Sequence, residues 1–233
     1  MQRFMPFYTV GIIAACLLFT SGVFAQDAAK VDSAHYKVEF ENDQVRVLRI
    51  AYGAGEKSVM HAHPEGVAIF LTDVQGQFTF PDGKSEAITA KAGQVVWMPA
   101  LQHLPENTGD AFELIQVELK GSAEGKKEAA AGKAAGALDA VKLDPKHYKV
   151  EFENDRVRVL RIAYGAGEKS VMHGHAAGVA VFLNDVQGTF TFPDGKSEAI
   201  TAKAGQVVWT PALQHLPENT GDAFEVIQIE MKK

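Results

Sequence analysis

The sequence predicts an all-β protein: two small sandwiches or barrels of short strands, one after the other on a single chain. Three observations carry this. One stretch of sequence is written twice. Short apolar runs with a period of two, punctuated by Gly and Pro, recur inside each copy. No segment of either copy has a convincing helical period.

Residues 35–120 align without a gap on residues 147–232, at an offset of 112, and 11 of those 86 positions differ. The differences include Gln44/Arg156, Ala62/Gly174, Pro64/Ala176, Glu65/Ala177 and Met98/Thr210. Two copies this alike must share a fold. The unit is far longer than a solenoid repeat, so it reads as a duplicated domain.

In chain order, residues 1–25 read as an address. Arg3 is the sole charge before Asp27, an apolar run follows from Val10 to Phe19, and Ser21-Gly22-Val23-Phe24-Ala25 ends it with small residues. That pattern predicts a secretory signal peptide cut after Ala25, and hence a chain exported to the periplasm or the extracellular space. The alternatives are a single membrane anchor, for which the apolar core is short, and a lipoprotein acylated at Cys16. Residues 26–34 read as a flexible tail. Residues 35–120 form the first domain, 121–141 an Ala/Gly-rich linker, and 142–233 the second domain.

Within the first copy, Val45–Ile50 is β-branched and strand-like. Gln77-Phe78-Thr79-Phe80 alternates, Pro81-Asp82-Gly83-Lys84 turns, and Glu86-Ala87-Ile88 resumes, which predicts a hairpin. Gln94–Trp97 is another strand before Pro99. Phe112–Leu119 places Ile115, Val117 and Leu119 on one face and Gln116 and Glu118 on the other.

Composition narrows the function. Of the 233 residues 46% are hydrophobic and 22% charged, which excludes a disordered chain. A single cysteine excludes an internal disulfide and any cysteine-built zinc or iron–sulfur site. With 29 acidic against 23 basic residues, the chain lacks the cationic balance of a general nucleic-acid binder. No membrane span is expected once the signal peptide is removed.

The eight histidines remain. His61 and His63 are two apart, so on a strand both imidazoles face one spot, and imidazole suits zinc, copper, iron and nickel. Gly55-x5-His61-x-His63 is followed by Gly76, then by Gly93-x5-Pro99-x3-His103-x3-Asn107. The second copy repeats this as Gly167-x5-His173-x-His175, Gly188, and Gly205-x5-Pro211-x3-His215-x3-Asn219. This closely resembles the two signature motifs of the cupin superfamily, over nearly all of both copies. The second motif is a looser form, lacking a glycine after the proline.

The resemblance implies a tandem of two cupin-type jelly-roll β-barrels paired as a pseudo-twofold bicupin, by internal pairing of the repeats, with a homo-oligomer as a further option. It implies a divalent metal ion (Fe, Mn, Zn, Cu or Ni) held by His61, His63 and His103 in one barrel and by His173, His175 and His215 in the other. The family's usual fourth ligand is a glutamate four or five residues after the second histidine. Val67 and Ala68, and Val179 and Ala180, stand there instead. Three neutral imidazoles would leave positions open for water, dioxygen or a chelating substrate. Two functions follow: a dioxygenase-type oxidoreductase acting on a small oxygen-chelating substrate, or a non-catalytic module binding a metal or small molecule. A metal-free structural duplication is the third.

Other residues have quieter expected roles. Glu65 is a loop charge at the barrel mouth. Trp97 and Trp209 are packing residues, and Phe70, Phe78 and Phe80, with Phe182, Phe190 and Phe192, suit a barrel lining. His35 and His147 are expected at the surface, and Arg49 and Arg161 on an outer face. Gln102 and Gln214 should point away from the metal. Glu106 and Glu218 are candidate mouth groups.

Overall fold

The computed structural model describes residues 26–121 and 138–232; the expected signal peptide and most of the expected linker lie outside the described residues. Apart from two four-residue helices, the described residues form strands and turns. The first repeat has α1 (Ala28–Val31), then β1 (Tyr36–Glu41), β2 (Val45–Tyr52), β3 (His61–His63), β4 (Gly66–Phe70), β5 (Val74–Thr79), β6 (Ser85–Ala90), β7 (Val95–Met98), β8 (Leu101–Asn107) and β9 (Phe112–Leu119). The second repeats the series as α2 (Ala140–Leu143), β10 (Tyr148–Glu153), β11 (Val157–Tyr164), β12 (His173–His175), β13 (Gly178–Phe182), β14 (Val186–Thr191), β15 (Ser197–Ala202), β16 (Val207–Thr210), β17 (Leu213–Asn219) and β18 (Phe224–Met231).

Each repeat folds into a five-stranded sheet, ordered β1-β2-β9-β4-β7, and a four-stranded sheet, ordered β3-β8-β5-β6, with the second repeat matching strand for strand. All strand pairs are antiparallel. The expected hairpin is β5–β6, and Gly83 closes its turn at φ 82°, a conformation open to glycine at little cost. This is the all-β jelly-roll architecture expected of each copy.

The most apolar face of the five-stranded sheet does not look into its own barrel. Val45, Val47, Val67, Ile69, Ile115 and Val117 pack against Val157, Val159, Val179, Val181, Ile227 and Ile229 in one continuous apolar core between the repeats. The two barrels are thus joined back to back. Buried aliphatic area of this kind contributes about 25 cal/mol per Å². Arg49 donates from Nη2 to the Gly205 carbonyl of the other repeat at 2.6 Å, and Arg161 returns the bond to Gly93 at 2.6 Å. These arginines therefore clasp the partner barrel rather than sit idle on an outer face. Trp97 meets Phe152 of the second repeat edge to face, at 6.5 Å between centroids.

Residues 26–34 are not a loose tail. Asp27 caps α1 by accepting from the Ala29 amide at 3.0 Å, Ala28 is fully buried, and Asp27 forms a parallel bridge with Ala62. Asp139 and Ala140 do the same for the second repeat, so that domain starts inside the stretch expected to be linker. The signal was present: Asp27-Ala28-x-Lys30-x-Asp32 recurs at the same offset as Asp139-Ala140-x-Lys142-x-Asp144. No helix among the described residues is long and apolar enough to cross a membrane.

Candidate metal centre

The strand register brings the three histidines together. His61 and His63 share one face of β3, and β8 runs antiparallel beside it with His103 directly opposite His61. Gln102 pairs with Ala62 and so faces away, as the period-two argument requires. The same register puts His173 opposite His215 in the second repeat. In each barrel one ligand-capable atom from each of the three histidines lies within 4.8 Å of the others. All six imidazoles are buried.

Their outer nitrogens are anchored. His61 Nδ1 lies 2.8 Å from the Val59 carbonyl, which can only accept, so Nδ1 carries the proton and Nε2 keeps its lone pair. His63 Nδ1 lies 2.7 Å from Glu118 Oε1, which fixes the same tautomer. His173 and His175 repeat this with Val171 and Glu230, each at 2.8 Å. Burial, then the neighbouring histidine, pushes His61 and His173 down to about 4. Burial and two histidine neighbours push His103 and His215 down to about 2. These four rings are neutral at pH 7, the state in which imidazole binds a cation.

The inner nitrogens lack partners. His61 Nε2 and both nitrogens of His103 and His215 are buried without a hydrogen bond among the described residues. In the second barrel His173 Nε2 and His175 Nε2 stand 3.1 Å apart, two lone pairs facing each other. Two nitrogens bound to one metal at about 2.1 Å are about 3.0–3.4 Å apart for angles between 90° and tetrahedral. A shared divalent cation is what this donor set fits.

Glu118 and Glu230 are the residues sequence reasoning missed. Glu118 is 1% exposed and joins a four-member chain: His63 to Glu118, Glu118 to Arg46 Nε at 2.6 Å, and Arg46 Nη1 to Asp27 at 2.5 Å. Glu230, Arg158 and Asp139 repeat it behind His175. The clue was an opposite-charge pair buried in apolar strands, with Arg46 directly across from Glu118 in the β2–β9 register. Gly66 lets β4 close on this point: a Cβ there would lie 2.1 Å from the Val117 carbonyl. The places of the family's glutamate hold no carboxylate, Val67 facing the inter-barrel core and Ala68 the barrel interior.

Several expectations are corrected. His35 and His147 are not surface residues. His35 stacks on Tyr52 at 4.1 Å and lies between Asp32, at 2.7 Å, and Glu56, at 3.2 Å; His147 is 5% exposed in the equivalent pocket. Asp32 also accepts from Ser58, which packs behind His61. Glu65 is no free loop charge, because it pairs with Arg156 of the other repeat. Glu106 and Glu218 pair with the exposed Lys57 and Lys169, outside the histidine cluster.

Inside the first barrel a cavity of about 200 Å³ opens onto His63 and His103, walled by Phe70, Phe78, Phe112 and Leu114. Phe78 abuts the His103 ring at 4.1 Å. Phe80 is not part of this wall. Tyr36 and Tyr52 join hydroxyls at 2.8 Å at the same cavity; burial raises Tyr52 to about 12 and Tyr36 well above its ordinary value, so both stay protonated. No carboxylate lines the cavity.

No family model and no curated protein matches the chain. Among solved structures it is similar to a cupin 2 conserved barrel domain protein from Leptotrichia buccalis, with a TM-score of 0.51 and 14% identity over 84% of this chain and 88% of that one. It is also similar to Bacillus subtilis oxalate decarboxylase, in a structure concerned with that enzyme's Mn(II) centres, with a TM-score of 0.56 and 14% identity over 82% of this chain and 70% of that one. The chain has the cupin fold twice over, in a bicupin arrangement with one three-histidine cluster in each barrel.

Proposed function

We propose that the protein is an exported metal-binding bicupin whose first barrel is a dioxygenase-type oxidoreductase site for a small oxygen-chelating substrate. The observation that carries it is the pair of buried three-histidine clusters, in each of which one ligand-capable atom from every ring lies within 4.8 Å of the others. His61, His63 and His103 would hold one divalent ion, and His173, His175 and His215 the other. The Mn(II) centres of the oxalate decarboxylase neighbour support a divalent metal in this fold. When bound, the ion supplies a Lewis acid, and if it is a redox metal an electron relay, with positions left open by the missing carboxylate.

The chain's own residues support the rest. The phenyl rings around the cavity exclude water and take an apolar body. Glu118 and Arg46 orient His63 and leave Glu118 no free oxygen for proton transfer, since both are used. With no carboxylate in the wall and both tyrosines held protonated, the pocket favours chemistry that needs no protein base. That same shortage of acid–base groups supports the second reading, a non-catalytic module binding a small molecule or metal outside the cytoplasm.

Oxygen uptake by metal-loaded protein, with a panel of diketones, flavonols and thiols, separates the two. Uptake with at least one diketone or flavonol, abolished by His61→Ala, is the expected result. A metal-replete protein that binds these compounds and consumes no oxygen would establish the binding module instead.

A further inference from the structure

Gln116 and Gln228 occupy equivalent places on β9 and β18, two residues from the glutamate that orients the second histidine, and both are 5% exposed. Their amides are treated differently. In the second barrel Gln228 Nε2 donates to Thr210 Oγ1 at 2.9 Å, and that hydroxyl in turn donates to the Gly178 carbonyl at 3.3 Å. The network is closed. In the first barrel the residue equivalent to Thr210 is Met98, which has no hydroxyl to offer. Gln116 Nε2 is therefore buried with no hydrogen-bond partner among the described residues, and Gln116 is one of the residues lining the cavity that also holds His63 and His103.

A buried amide N–H without an acceptor is costly, and natural structures hold few of them. Apart from the histidine nitrogens, it is the sole orphaned side-chain atom among the described residues. Gln116 thus supplies a polar donor at a fixed point of a wall that is otherwise mainly apolar. Small-molecule pockets are commonly built this way, with an apolar lining and few placed polar groups.

We infer that Gln116 is a specificity residue of the first barrel, its Nε2 donating to an oxygen of the bound ligand, and that Thr210 withdraws the equivalent donor in the second barrel. The ligand class is a small ketone or enolate with an apolar body, one oxygen toward the histidine-bound metal and a second accepting from Gln116. The two barrels then hold metal alike and bind this ligand unequally. The inference rests on the metal reading above and deepens it.

The test exchanges the two residues. Full-length protein is loaded with Co(II) and titrated with acetylacetone, following the cobalt d–d absorption. His173→Ala isolates the first site, and His61→Ala the second. In the first background, Met98→Thr should weaken acetylacetone binding about fivefold, the worth of one hydrogen bond. Gln116→Leu should do the same, and the two changes together should cost no more than either alone. In the second background, Thr210→Met should strengthen binding by a similar factor. Each substitution should leave Co(II) content unchanged. A simple packing defect would not produce the gain at the second site. Co(II) bound at both sites with acetylacetone affinities unmoved by the exchange would overturn the inference alone. Failure of the unmodified protein to take up Co(II) would overturn the metal reading, and this inference with it.

Discussion

The two repeats carry the same three histidines, the same carboxylate–arginine support and the same tyrosine pair, yet 11 of 86 aligned positions differ. The differences fall around the centres and not in them. Glu65 and Arg156 make one ion pair on one side of the pseudo-twofold, where the other side has Ala177 and Gln44. In the inter-barrel core, Ile69 and Val117 of the first repeat face the exchanged choice, Val181 and Ile229, in the second, so a methylene has moved and volume is kept. Met98 and Thr210 alter the cavity wall. The lesson is that the donor set and its support are unchanged between the copies, while the interface and the cavity have diverged.

The largest expected effect tests that equivalence of support. Glu118→Ala removes one of Arg46's two carboxylate partners and leaves His63 Nδ1 buried without an acceptor, so it should destabilise the protein by about 3 kcal/mol. Glu230→Ala should cost nearly the same. Urea denaturation of both variants checks this, and a gap of several kcal/mol between them would break the comparison.

Acid should act on both centres together. In the unfolded chain these imidazoles take up protons near pH 6.5, whereas in the folded metal-free protein His61 and His173 resist until about 4 and His103 and His215 until about 2. Their folded values are depressed, so stability is full above pH 6.5 and falls as the pH drops. Each histidine removes about 1.4 kcal/mol per pH unit between 6.5 and its folded value. Thermal melts from pH 7 to pH 4.5 should show a steep loss in one transition. A midpoint that stays constant over that range would contradict the burial of these rings.

The smallest effect probes the asymmetry. Glu65 is about one-third exposed, so Glu65→Ala should cost at most about 1 kcal/mol. A double-mutant cycle with Arg156→Gln isolates the pair. Ala177→Glu with Gln44→Arg should install its mirror image and recover a similar amount.

Much of this was legible in the sequence. The duplication and the strand pattern led to two all-β units, and the resemblance of the histidine motifs to those of cupins led to the six histidines that the fold gathers into two clusters. What escaped depends on pairing across strands. Phe112–Leu119 shows one apolar and one polar face, and the ordinary reading points the apolar face into its own barrel. Here Ile115 and Val117 serve the second barrel, and the polar face turns inward to deliver Gln116 and Glu118. A sheet buried on both sides hides which face is which. Asp27, Arg46 and Glu118 are far apart in sequence, and only register joins them. The ordered start at Asp27 was missed because four residues of helix are too few to show a period.

Metal content tests the central claim most directly. The purified chain, dialysed against Mn(II) or Fe(II) and freed of loose ions, should hold two ions, and His61→Ala and His173→Ala should each hold one, while the double variant holds none. Equal metal in all four proteins, or none in the unmodified chain, would contradict the assignment of the two histidine clusters as metal centres.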